Sequence, residues 1–250
     1  MSSFASFDNT EIMFDDEGSG PLVLLLHGFA ANAHANWHQP KVTETLVASG
    51  RRVVAWDARG HGRSGKPHDP AAYKDGAMVR DARALLDHLA VESADVVGYS
   101  MGGHLTARLA IVDPRVRSVV LGGVGEMVMK GRGVADVEGT ASALTAGDPA
   151  TISSPVARAF RQFAESTGAD REALAAVMRG GLGGPLEGAI SVPALVIVGD
   201  KDVLVGPPQG LVDAIPGAEL VIVQGDHLTA VGDPAFRNGI RDFLDKVSPR

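Results

Sequence analysis

Ala94-Asp95-Val96-Val97-Gly98-Tyr99-Ser100-Met101-Gly102-Gly103 is the stretch that decides how this chain folds. Residues 94–97 have the character of a short buried strand, residues 98–102 fit the spacing G-x-S-x-G, and residues 104–112 continue with helical character. Strand, tight turn and helix in immediate succession thrust the central serine clear of a sheet. Glycines two positions to either side let neighbouring backbone pack against the turn without Cβ clashes. Such a turn strains its serine by about 1–3 kcal/mol. Glycine and serine are common, so the five-residue pattern takes its meaning from the rest of the chain.

On both sides of this stretch, strands alternate with helices. Residues 4–7 and 11–14 form an expected N-terminal hairpin around Asp8-Asn9-Thr10. Residues 22–26 are a continuous apolar run after Pro21, the pattern of a strand covered on both faces. His27-Gly28-Phe29 closes it, residues 30–38 read as a small-residue loop, and residues 39–49 as a helix stopped by Gly50. A strand over 52–56 ends in the glycine-rich loop 57–65, and a helix over 75–91 leads into the stretch quoted above. Residues 116–121 are a further strand. This alternation predicts an α/β fold with a mostly parallel central sheet and helices on both faces.

Residues 124–189 break the rhythm with three expected helices, over 134–145, 155–166 and 170–178, and no convincing strand. Strands resume at 193–198 and 219–223, with helices expected at 211–215 and 234–246. The domain reading is therefore a core of residues 1–123 and 190–250 with a helical cap, or lid, inserted as residues 124–189.

Composition narrows the function. A chain of 250 residues, 45% hydrophobic and 21% charged, suits one large α/β domain. A net charge of −7 and the lack of a basic cluster argue against nucleic acid as a partner. Residues 1–20 hold Asp8, Glu11, Asp15, Asp16 and Glu17 and no apolar core, so neither a signal peptide nor a membrane anchor is expected there. Zero cysteines remove disulfides, a thiolate nucleophile and a cysteine metal site. A cytoplasmic enzyme acting on a small molecule without metal or cofactor is the expectation, with oligomeric state open.

A neutral serine becomes a nucleophile when a base takes its proton, a carboxylate orients the base and donors await the oxyanion. In an open parallel sheet such groups converge at the carboxyl ends of the strands. Ser100, the neighbours Asp200 and Asp202, and His227 all follow expected strands, in the order serine, aspartate, histidine. His27 and His61 are expected to hydrogen-bond loop backbone, Asp57 to tie down the glycine-rich loop, and Asp226 to cap its own loop.

With these pieces in hand the sequence resembles the α/β-hydrolase superfamily over essentially its full length. The matching motifs are His27-Gly28-Phe29, Asp57-Ala58-Arg59-Gly60-His61-Gly62-Arg63-Ser64, the Gly98–Gly102 elbow, Gly199-Asp200-Lys201-Asp202 and Gly225-Asp226-His227. The resemblance implies a catalytic triad of Ser100, Asp202 and His227, with Asp202 preferred over Asp200 because the family's acid stands three residues after the strand-ending glycine. It also implies an oxyanion hole formed by the backbone N–H groups of Phe29 and Met101. Haloalkane dehalogenases and epoxide hydrolases of the superfamily carry aspartate at the elbow, so serine favours an acyl-serine intermediate.

The expected substrate is an uncharged or mildly apolar small carboxylic ester, bound against Phe29, Tyr99, Met127, Met129, Phe160 and Met178. Alternatives on the same triad are a C–C hydrolase of ring-cleavage products, a thioesterase, a lactonase and a perhydrolase. An alternative of another class is a non-catalytic ligand-binding protein on the same scaffold.

Overall fold

The computed structural model describes residues 2–131, 136–181 and 184–248. Among them, β1 (Ser2–Ala5), β2 (Glu11–Glu17), β3 (Leu22–Leu26), β4 (Arg52–Trp56), β5 (Ala94–Tyr99), β6 (Val116–Gly122), β7 (Ala194–Gly199) and β8 (Glu219–Val223) form one sheet. Their spatial order is β1-β2-β4-β3-β5-β6-β7-β8. The β1–β2 and β2–β4 pairs are antiparallel and the others parallel, as expected from the alternation.

The apolar run of β3 shows why helices must cover both faces. Its five residues are all buried. Successive strand side chains point to opposite faces, so Val23 and Leu25 pack with Val53, Val97 and Trp37, while Leu22, Leu24 and Leu26 pack with Val54, Val96 and Leu85. The first face is covered by α1 (Val42–Ala48) and α8 (Pro234–Val247), the second by α2 (Ala77–His88) and α3 (Met101–Val112).

Between β6 and β7 run α4 (Val137–Thr145), α5 (Pro155–Ser166) and α6 (Arg171–Gly180); α7 (Gln209–Ala214) follows β7. Each of the three begins at a side-chain cap: Asp136 accepts from the Gly139 N–H, Ser154 from Ala157 and Asp170 from Ala173. Such caps satisfy donors that the helix itself leaves unpaired. The expected start of α4 at residue 134 lies outside the described residues.

Several boundaries differ from expectation for local reasons. β1 stops at Ala5 because Ser6 and Asn9 already belong to the turn, which the Ser6 N–H to Thr10 and Asn9 N–H to Ser6 bonds close. β2 continues past Phe14 to Glu17 because residues 15–17 pair with β4. The expected loop over 30–38 contains a π-helical turn, His34–His38, that buries Trp37. α1 begins at Val42, not at residue 39, since Lys41 adopts a left-handed conformation with φ 63°. Among the described residues no helix is long and apolar enough to cross a membrane.

The loop after β4 is anchored by Arg59, whose fully buried guanidinium donates to both oxygens of buried Asp81 at 2.5 and 2.6 Å, to Asp8 at 2.8 Å and to the Ala72 carbonyl at 2.6 Å. Removing one member of a buried ion pair strands the other, which costs about 3–5 kcal/mol. Arg59→Met should therefore lower the urea-unfolding free energy by that amount. Arg52→Met, which breaks the half-exposed pair with Asp16, should cost no more than about 1 kcal/mol.

Candidate active site

Ser100 stands between β5 and α3 with φ 52° and ψ −112°, a conformation that side chains with a Cβ rarely adopt. Close approach of backbone explains the flanking glycines. A Cβ on Gly98 would lie 2.1 Å from the Gly102 carbonyl oxygen, and one on Gly102 would lie 1.8 Å from that of Leu26. The Ser100 N–H donates to the Gly122 carbonyl at 2.8 Å, fixing the turn against β6.

The loops after β7 and β8 bring Asp202 and His227 to this serine. Ser100 Oγ lies 2.8 Å from His227 Nε2, and His227 Nδ1 lies 2.7 Å from Asp202 Oδ2. The other Asp202 oxygen, Oδ1, accepts the Leu204 N–H at 3.1 Å. A carboxylate beside Nδ1 holds the proton there and leaves Nε2 free to accept one from the serine hydroxyl. Asp200 faces away from the imidazole and binds the two loops together by accepting the Gly225 N–H at 2.9 Å. Asp226 accepts the Leu228 and Thr229 N–H groups of its own loop at 3.0 and 2.9 Å.

Phe29 and Met101 line the same cavity as Ser100 and His227, a hollow of about 620 Å³. Met101 is the first residue of α3, so its N–H is one of the four without an intrahelical acceptor. The Gly28 N–H is engaged by the buried Asn36 Oδ1 at 2.9 Å, which sets the orientation of the strand end just before Phe29. The sequence reading missed Asn36. The histidines flanking this region act structurally, as expected: His27 Nδ1 meets the Gly28 carbonyl at 2.8 Å while its Nε2 accepts the Ala58 N–H at 3.0 Å, and His61 Nδ1 meets the Arg59 carbonyl at 3.0 Å. Asp57 ties the glycine-rich loop by accepting the Ala33 and Arg63 N–H groups at 2.8 and 2.9 Å.

Of the expected pocket residues, Phe29, Met127, Phe160 and Met178 line the cavity. Tyr99 and Met129, contrary to expectation, are not on its lining. Tyr99 points to the opposite face of β5, where its ring packs edge-on against Phe236 and its hydroxyl donates to the His227 carbonyl at 2.8 Å. It is thus a strut for the histidine loop, and burial keeps its phenol protonated by pushing its pKa up. Met129 packs onto the core beneath the cavity. Wall residues that the sequence reading missed include Val203, Leu204 and Val205, directly after Asp202, together with Val137 and Thr140 of α4. The signal available was the apolar triplet itself, directly after Asp202. A separate hollow of about 550 Å³, lined by Asp15, His34, His38 and Arg63 among others, includes neither Ser100 nor His227.

His104, one helical turn beyond Ser100, also lines the main cavity. Burial, reinforced by the nearby Arg108 and His227, lowers its pKa to about 4, and burial lowers that of His61 to about 3.

Comparison with known proteins was informative at two scales. Residues 21–130 match a family model described as the alpha/beta hydrolase fold. A 2-hydroxymuconate semialdehyde hydrolase of Pseudomonas sp. (strain CF600) is 40% identical over 111 residues, which cover 43% of this chain and 38% of that protein. The match therefore spans well under half the length of that curated relative. Two solved structures align over nearly the whole chain. A hydrolase from Pseudomonas aeruginosa PA01 has a TM-score of 0.78 at 27% identity, covering 97% of each chain. An enol-lactonase from Burkholderia xenovorans LB400 has a TM-score of 0.78 at 25% identity, covering 97% of this chain and 99% of that one.

The depressed histidine pKa values predict how stability depends on pH. Between the ordinary value of 6.5 and the folded value of about 4 for His104, the unfolded state binds a proton that the folded state does not, so stability must fall as pH is lowered through this window. Urea titrations between pH 7 and 5 should show that decline. In His104→Gln the slope should be shallower by about one proton, or ~1.4 kcal/mol per pH unit; an unchanged slope would contradict the assignment.

Proposed function

The chain belongs to the α/β-hydrolase superfamily, and from that membership and the geometry at Ser100 we propose that it is a cofactor-independent serine hydrolase cleaving small carboxylic esters. The observation that carries the reading is the unbroken series Ser100 Oγ, His227, Asp202, with contacts of 2.8 and 2.7 Å, opening onto a largely apolar cavity.

In the proposed mechanism Ser100 Oγ attacks the ester carbonyl carbon while its proton passes to His227 Nε2. Asp202 holds the imidazole by Nδ1 and stabilises the imidazolium that forms. Negative charge developing on the carbonyl oxygen is met by the N–H groups of Phe29 and Met101, fixed in advance by the strand end and the helix start; one such donor is worth about 3–4 kcal/mol in other enzymes. The tetrahedral intermediate collapses as His227 gives its proton to the departing alkoxide oxygen, leaving acyl-Ser100. Water then attacks the acyl carbon with His227 as base, and the acid is released with the Ser100 hydroxyl restored. The helices α4, α5 and α6 act as a cap over this site, with Met127, Phe160 and Met178 shaping the substrate volume. Dehalogenation or epoxide opening through an elbow aspartate is not supported, since the elbow carries serine.

A second reading, hydrolysis of a C–C bond in a vinylogous diketone, draws on one observation: a neutral imidazole, His104, shares the cavity with Ser100. The 2-hydroxymuconate semialdehyde hydrolase match points the same way. Comparing turnover of short p-nitrophenyl esters with that of such a diketone separates the two readings, and activity on the diketone alone would overturn the ester reading.

A fluorophosphonate probe should label the wild-type protein at Ser100 and leave Ser100→Ala unlabelled. Equal labelling of both, or none of the folded wild type, would remove the serine-hydrolase reading and leave a binding protein. Asp202→Asn should cut turnover by about 10³–10⁴-fold, whereas Asp200→Asn should be milder by about two orders of magnitude; the reverse order would reassign the acid.

A further inference from the structure

A smaller hollow of about 270 Å³ adjoins the main cavity, and Val156, Phe160, Val203, Leu204 and His227 line both. Its outer wall includes Leu228. Val203 is 89% exposed, Leu228 46%, Leu204 44% and Val156 39%, so four of the eight large apolar side chains exposed among the described residues gather at this one groove. Scattered exposed apolar residues are ordinary, but a contiguous group marks a surface that something apolar covers. Continuity with the cavity that holds Ser100 identifies the occupant as part of the substrate.

Chemistry decides which part. In acyl transfer, the group that departs must lie where His227 Nε2 can protonate its oxygen, and His227 is among the five residues that cavity and groove share. Phe29 and Met101, beside which the carbonyl oxygen would sit, line the cavity but not the groove. A substrate with its carbonyl at Ser100 therefore directs its alkoxy chain past His227 and into the groove. Of the other polar residues on the lining, Asp226 is already engaged by the Leu228 and Thr229 N–H groups, and Lys201 is exposed, so its long stem lets the ammonium stay in water; the apolar walls then call for an apolar chain. The volume equals about nine waters at ~30 Å³ each, room for a slender chain of several methylenes.

We propose that the groove between α5 and the loops carrying Asp202 and His227 is a subsite for the linear alkyl chain of the leaving alcohol, which makes esters of medium-chain primary alcohols substrates. This rests on the serine-hydrolase reading. The test measures kcat/KM for n-alkyl acetates from methyl to octyl and for methyl n-alkanoates from acetate to octanoate, all as monomers below their solubility limits.

The alcohol series should climb by two- to fourfold per added methylene until the groove is filled, the upper figure corresponding to ~0.8 kcal/mol for a fully buried CH₂. In a Val203→Asp, Leu228→Asp double variant, whose altered side chains are exposed and so spare the core, the octyl-to-methyl acetate ratio should fall at least about tenfold, chiefly through KM. A flat alcohol series with methyl acetate or a methyl alkanoate still turned over, or a slope that survives in the double variant, would overturn the groove alone. A rise that appears only above the solubility limit would overturn it in favour of contact with a lipid surface. Absence of turnover in both series would overturn the groove together with the ester reading.

Discussion

Everything at the site depends on how closely α3 approaches β3. The backbone of Gly102 lies so near the Leu26 carbonyl that a single methyl group would be 1.8 Å from its oxygen. Glycine permits that approach, and within it the chain reverses sharply at Ser100, at φ 52° and ψ −112°, which lifts the hydroxyl out of the sheet. It also sets the first N–H of α3 near the end of β3, where the His27-Gly28-Phe29 loop begins. One steric constraint thus brings the proposed nucleophile and the proposed oxyanion donors together, and the local strain at Ser100 is held by the buried sheet around it.

The partners of Ser100 come from loops remote in sequence, and a second set of polar contacts holds those loops. Asp200 joins the β7 loop to the β8 loop through the Gly225 N–H, and Tyr99 reaches from beneath Ser100 to the His227 carbonyl. Both carry side chains near the reacting groups without facing the cavity. Both contacts limit how far the imidazole can drift from the hydroxyl, and in the proposed reaction a displacement of an ångström would matter to rate.

Much of this was legible in the chain because several kinds of signal agreed. The continuous apolar run at residues 22–26 announced a strand buried on both faces, and glycine spacing around Ser100 announced the elbow. The positions of Asp202 and His227 after strands were readable because a parallel sheet gathers its strand ends. Side-chain direction was harder. Tyr99 adjoins Ser100 in sequence and yet points to the other face of the sheet, since one residue along a strand reverses direction. Met129 looked like Met127 by composition, and only packing distinguishes the one on the core from the one in the cavity. Asn36 carried no sequence signal, because its role arises from a π-helical turn that lies within a stretch read as loop.

The hydrogen-bonded series from the Gly122 carbonyl through Ser100, His227 and Asp202 to the Leu204 N–H contains no atom from residues 124–189. Yet α4, α5 and α6 supply a large share of the cavity wall, through residues such as Thr140, Phe160 and Met178. Mutational drift in those helices can therefore redraw what enters the site while the reacting atoms keep their spacing. The architecture is modular in an evolutionary sense: the hydrogen-bonded series and much of the wall before it come from separate stretches of chain, so single substitutions in the one can leave the other in place.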